Sequence, residues 1–129
     1  MVMFYPWIDL TDTDSESFRQ FSEGYLLTGN QILWFRNNYL GESDPENEDI
    51  SPLLSKRPAD FPPAVICTSE FDVLRDQGDK FAAKLKKAGN KVLHISFKDQ
   101  IHGFMNLTAL FRKKISYYLE TIKLFLNQL

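Results

Sequence analysis

Apolar and polar positions along the chain fall into short runs of different period. Residues 2–5, Val-Met-Phe-Tyr, form a continuous apolar run stopped by Pro6, which predicts a short buried strand. Residues 9–17 are polar and rich in cap formers. A short helix is therefore predicted to begin at Ser15 or Ser17, to carry Phe18 and Phe21, and to end near Gly24. Thr28 followed by Gln31 is a capping-box pair, so a second helix is predicted from Gly29 to Leu40, with Gly41 as its terminating glycine.

Residues 64–69, Ala-Val-Ile-Cys-Thr-Ser, follow Pro62 and Pro63 and are too short for a helix; they read as a buried strand. Asp76 is the predicted N-cap of the next helix, in which Phe81, Leu85 and Ala88 make one apolar face. Lys84, Lys86 and Lys87 suit the negative end of its dipole, and Gly89 closes it. Residues 91–97 alternate, with Leu93, Ile95 and Phe97 on one face, as in a strand at a sheet edge. Leu107, Phe111, Ile115, Tyr118, Ile122, Phe125 and Leu129, spaced 4, 4, 3, 4, 3 and 4, predict a long final helix.

Strands separated by helices imply an α/β fold of about three parallel strands joined by right-handed crossovers. The chain contains no internal repeat, low-complexity tract or second domain. Its 129 residues suit one domain, and 43% hydrophobic with 25% charged residues is an ordinary globular balance. Eleven Phe favour a substantial core. A net charge of −2 excludes a basic field for nucleic acid or acidic lipid. One cysteine cannot form an internal disulfide, which fits a reducing, cytoplasmic setting. The apolar N-terminus lacks a positive flank and meets Asp9 early, so no ordinary signal peptide or membrane span is expected.

Candidate chemistry lies after the second and third strands, because open parallel sheets gather functional groups at their carboxyl ends. Glu70-Phe71-Asp72-Val73-Leu74-Arg75-Asp76 follows one, and Ile101-His102-Gly103-Phe104 follows the other. Asp72 and His102 can therefore meet above the sheet, the acid fixing the imidazole tautomer and stabilising its protonated form. Asp72 as a turn-closing residue and His102 as a structural histidine are the plainer alternatives. His94 is expected to be structural, and Cys67 an inert small hydrophobe. The acidic loop 42–49 lacks the glycine and the ligand spacing of a calcium loop and reads as solvated.

These segments, together with Tyr5-Pro6, Ser51-Pro52-Leu53 and Pro62-Pro63 in the same order, resemble the hormone-sensitive-lipase-like esterases of the α/β-hydrolase superfamily. The resemblance implies a single partial domain over 1–129, the C-terminal portion of that fold. Residues of about 10–50 would be cap-like connecting helices and loop, and 58–129 the strand-helix-strand-helix end of the sheet. It implies a small-molecule carboxylic ester as substrate, Asp72 as triad acid and His102 as general base, and no metal or organic cofactor. Val73 stands where the family usually has Pro.

The superfamily's nucleophile sits on a Gly-x-Ser-x-Gly elbow that precedes the acid and the histidine. No such elbow occurs here; Gly41-Glu42-Ser43-Asp44-Pro45 has Pro in place of the second Gly and follows a helix. The chain is thus expected to be inactive alone. Two other readings are a truncated or degenerate hydrolase kept as an interaction module, and one half of a split enzyme. Self-association through open strand edges is expected. In the resembled family the connection after the first strand contributes to a cap over the acyl pocket, so Phe21, Tyr25, Leu26 and Trp34 are candidate pocket residues, with plain helix packing as the alternative.

Overall fold

Three strands lie side by side in the order β1-β2-β3, all parallel. In the computed structural model, which describes residues 1–129, they are β1 (Val2–Phe4), β2 (Ala64–Phe71) and β3 (Val92–Ile101). The helices are α1 (Glu16–Phe21), α2 (Gly29–Leu40), α3 (Arg75–Lys87) and α4 (Thr108–Leu126). The α/β class and the parallel sheet are as the sequence predicts.

β2 is central and carries apolar residues on both faces, as a strand covered on two sides must. Its period of two splits the core. Val65 and Cys67 join Phe97, Phe104, Ile115 and Ile122 in the layer beneath α4, whereas Ala64 and Ile66 join Phe81, Ala82 and Leu85 beneath α3. A third, smaller cluster of Phe21, Ile32, Val73 and Leu74 lies under α1 and α2. The apolar stripes of α3 and α4 are thus spent on opposite faces of one sheet.

Local signals in the sequence account for several helix ends. The Ser15 hydroxyl accepts from the Phe18 amide and caps α1. In α2 the Thr28 hydroxyl accepts from the Gln31 amide at 3.2 Å while Gln31 accepts from the Thr28 amide at 2.9 Å, the reciprocal box. Gly89 ends α3 in the left-handed region at φ +91°.

Four expectations need correction. The 2–5 strand is shorter and less buried than its apolar run suggests: Val2 and Phe4 are exposed because β1 has only β2 as a neighbour. Asp76 does not cap α3. The helix starts at Arg75 after Leu74, and the Asp76 carboxylate instead accepts from the Ser17 amide, with the Ser17 hydroxyl accepting from the Asp76 amide. That exchange ties α1 to α3, and a local N-cap rule cannot foresee a partner 59 residues away. β3 runs on through 98–100, expected as loop. Ser69 pairs with Phe97 but Phe71 with Ile101, and the surplus residues bulge out around Asp99, which is left-handed at φ +59°. α4 carries a kink at Phe111, whose backbone leaves the helical region.

Candidate active site

The loop after β2 is set by Asp72. Its Oδ1 accepts from the Leu74 amide at 2.9 Å, closing the turn that launches α3. The residue is 2% exposed. The loop after β3 turns at Gly103, left-handed at φ +73°, and re-forms as a 3-10 turn over Phe104–Asn106. Between them the two loops bring His102 Nδ1 to 2.8 Å from Asp72 Oδ2. The structure thus brings the two candidate residues together.

A carboxylate only accepts hydrogen bonds, so this contact requires the proton on Nδ1 and leaves Nε2 as the basic nitrogen. Asp72 is almost wholly enclosed, whereas the His102 side chain is 27% exposed. The buried member fixes; the exposed member reaches. Tyr5 completes the surround, its ring centroid 5.1 Å from that of the imidazole and its hydroxyl accepting from the Met105 amide at 3.0 Å. Burial pushes the Tyr5 phenol well above its ordinary range, outweighing the Met105 amide that favours its ionised form.

His102 stands at an open cleft of about 760 Å³, a size suited to a drug-sized ligand. Its walls are apolar: Trp7 and Leu10 from the segment after β1, Leu74 from the start of α3, and Ile32, Phe35 and Tyr39 from α2. None of the candidate pocket residues Phe21, Tyr25, Leu26 and Trp34 lines it. Phe21 and Tyr25 pack against Phe71 behind the cleft-lining Ile32 and Leu74, and Leu26 and Trp34 are 60% and 61% exposed. The missed signal is the spacing of Ile32, Phe35 and Tyr39, which share one face of α2 at i, i+3 and i+7.

The remaining candidates take structural places. His94 Nε2 lies 3.0 Å from Asp79 Oδ1, which also accepts from the Thr68 hydroxyl at 2.8 Å, so this histidine joins β3 to α3. Cys67 is fully buried, and burial pushes its thiol up to about 12. Ser43 lies in the exposed turn after α2. No three His, Cys, Asp or Glu side chains cluster as metal ligands would, and no helix is long and apolar enough to cross a membrane.

Comparison with known proteins agrees with this architecture. A family profile described as the alpha/beta hydrolase fold matches residues 1–106. Carboxylic ester hydrolase LipN of Mycobacterium tuberculosis is 38% identical over 110 residues, 84% of this chain and 29% of that protein. An arylesterase of Saccharolobus solfataricus is 31% identical over 96 residues, 73% of this chain and 31% of that protein. A solved hyperthermophilic esterase from Pyrobaculum calidifontis superposes with a TM-score of 0.84 at 30% identity, covering 95% of this chain and 42% of the other. The chain spans roughly a third of the length of these curated relatives.

Proposed function

Since the chain belongs to the alpha/beta hydrolase family, among its hormone-sensitive-lipase-like esterases, we propose that it supplies the acid and the general base of a carboxylic ester hydrolase. The observation that carries this is the 2.8 Å contact between His102 Nδ1 and the enclosed carboxylate of Asp72, placed at the rim of an apolar cleft.

In this reading the acyl or alcohol part of an ester lies along Ile32, Phe35 and Tyr39, with its carbonyl towards His102. A serine hydroxyl presented at the cleft gives its proton to His102 Nε2 as its oxygen bonds to the carbonyl carbon. The imidazolium then returns that proton to the leaving alkoxide as the ester C–O bond breaks. A water that gives its proton to His102 in turn attacks the acyl-serine, releasing the carboxylic acid and restoring the serine. Asp72 stays ionised throughout, holding the tautomer and stabilising the imidazolium. No metal or organic cofactor enters.

The 129 residues hold no Gly-x-Ser-x-Gly elbow, and we take the chain by itself to be without turnover. Incubation of the pure chain with a p-nitrophenyl ester is expected to give at most trace release. Stoichiometric release abolished by a serine reagent would overturn that expectation. Joined to the Gly-x-Ser-x-Gly region of an esterase relative, the chain is expected to support hydrolysis. There, Asp72→Asn should lower kcat by about 10⁴-fold, as loss of the triad acid does elsewhere. Full activity in the Asp72→Asn chimera would sink the acid–base assignment.

A second reading, as an interaction module, is favoured by the sheet edges. β1 and β3 each pair with β2 alone, and Val2 and Phe4 are exposed on β1. Open edges recruit further strands, so self-association accompanies this reading. A clean monomer at high concentration in sedimentation would count against it.

A further inference from the structure

Tyr5 adopts a backbone conformation that both its own side chain and its neighbour oppose. Its φ is +49°, in the left-handed region where Cβ crowds the following carbonyl. Pro6 comes next, and a proline drives the residue before it towards extended backbone. Such strain survives only where the surroundings fix a residue from several sides, and it gathers at functional positions.

Four contacts fix Tyr5. Its amide donates to the Cys67 carbonyl at 2.8 Å, carrying the β1–β2 ladder one step past β1. Its ring lies 5.1 Å from the imidazole of His102 and 6.0 Å from the ring of Phe97. Its hydroxyl accepts from the Met105 amide at 3.0 Å, joining residues a hundred positions apart. Met105 is in the 3-10 turn that follows His102 and the left-handed Gly103. One side chain therefore meets the histidine with its ring, tilted at 51° to the imidazole, and the histidine's own loop with its oxygen. A phenol is neutral at neutral pH and burial pushes its ionisation higher still, so that oxygen accepts with its own proton in place.

Asp72 holds His102 through a single ring nitrogen. One hydrogen bond sets the tautomer but leaves the ring free to tilt about it, and the loop carrying the ring pivots on a glycine. Holding a catalytic group to its working geometry takes a further supporting contact. We propose that Tyr5 is the positioning residue for His102: its ring sets the plane of the imidazole and its hydroxyl pins the Gly103–Met105 turn. This role rests on the acid–base reading given above.

The chain has two histidines, so nitrogen-15 imidazole spectra of the full chain report the test directly, with His102 assigned through His102→Gln. The unsubstituted chain is expected to show His102 in the Nδ1–H tautomer. Tyr5→Phe keeps the ring and removes the acceptor. It should move His102 towards mixed tautomers and speed loss of its Nδ1 proton to solvent roughly fivefold, the equivalent of one ordinary hydrogen bond. Tyr5→Leu removes the ring as well and should move it further. His94, held by Asp79 and Thr68, should be unmoved in both, which also certifies folding. If His102 in Tyr5→Phe matches the unsubstituted chain, the positioning role is overturned while the acid–base reading stands. If the unsubstituted chain lacks the Nδ1–H tautomer, both fall. Should the variants fail to fold, exchange of the Met105 amide in the unsubstituted chain decides: protection supports the pin, and exchange at the rate of an open loop overturns it.

Discussion

Asp72 and His102 are thirty residues apart in sequence, and their side chains meet at 2.8 Å with the carboxylate enclosed and the imidazole at a cleft. The same carboxylate holds the Leu74 amide through its other oxygen. Asp72→Ala removes the acceptor of both bonds and leaves the buried Leu74 amide without a partner, so the chain should lose about 1–3 kcal/mol of stability. Urea denaturation measures it. A midpoint and slope equal to those of the unsubstituted chain would show that neither bond contributes to the fold.

Asp79 gives the fold an acid-sensitive clasp. Burial pushes its carboxyl up, but hydrogen bonds from His94 and Thr68 and the charges of His94 and Arg75 outweigh this, and the net shift is downward from the ordinary 3.8. A carboxyl held lower in the folded than in the unfolded chain favours the fold whenever it is ionised. Its contribution is therefore complete above about pH 4 and is lost as pH falls through the lowered folded value. Asp79→Asn should flatten the acid limb of the stability profile. An acid limb of unchanged depth in that variant would remove Asp79 as its source.

Gly78 lets α3 lie directly on β2. A Cβ there would come within 2.6 Å of the Thr68 methyl, on a side chain that is 1% exposed and itself tied to Asp79. Alanine favours a helix over glycine by up to about 1 kcal/mol, but overpacking at such a contact costs about 1–3 kcal/mol. Gly78→Ala is expected to lower the thermal midpoint despite its better helix propensity. A raised midpoint would mean that the helix moves away from the sheet at little cost.

The Cys67 thiol, buried and pushed up to about 12, should be inert towards an aromatic disulfide reagent at neutral pH until the chain unfolds. Prompt, stoichiometric labelling under native conditions would contradict its place in the layer beneath α4.

The cleft makes its own prediction through the two tryptophans. Trp7 lines it, and Trp34 points outwards. An aryl alkyl ketone, which resembles an ester but cannot be hydrolysed, should alter the fluorescence of the Trp34→Phe chain. The Trp7→Phe chain should show no response. The reverse pattern would place binding outside the cleft.

Much of the architecture is legible in local sequence because local physics sets it. Thr28 and Gln31 satisfy each other's amides within one turn, Gly89 takes a conformation open to glycine, and the stripe through Ile115 and Ile122 faces a core. The cleft walls were less legible. The aromatic residues of α2 are all exposed, and only the position of the sheet decides that Phe35 and Tyr39 line the cleft that His102 also lines while Trp34 does not. Asp76 is equally instructive: it is a good cap former by type, yet Ser17 claims it from another helix.

By itself the sequence determined the α/β class, the order of strands and helices, and the candidate pair Asp72 and His102, because period, caps and the acid and histidine segments are properties of neighbouring residues. Tertiary structure alone decided the 2.8 Å contact between that pair, the bulge that re-aims the end of β3, and the strained Tyr5 that reaches across to Met105. Each of these joins segments far apart along the chain, and a partner brought in by the packing of a sheet leaves no trace in the period of either segment.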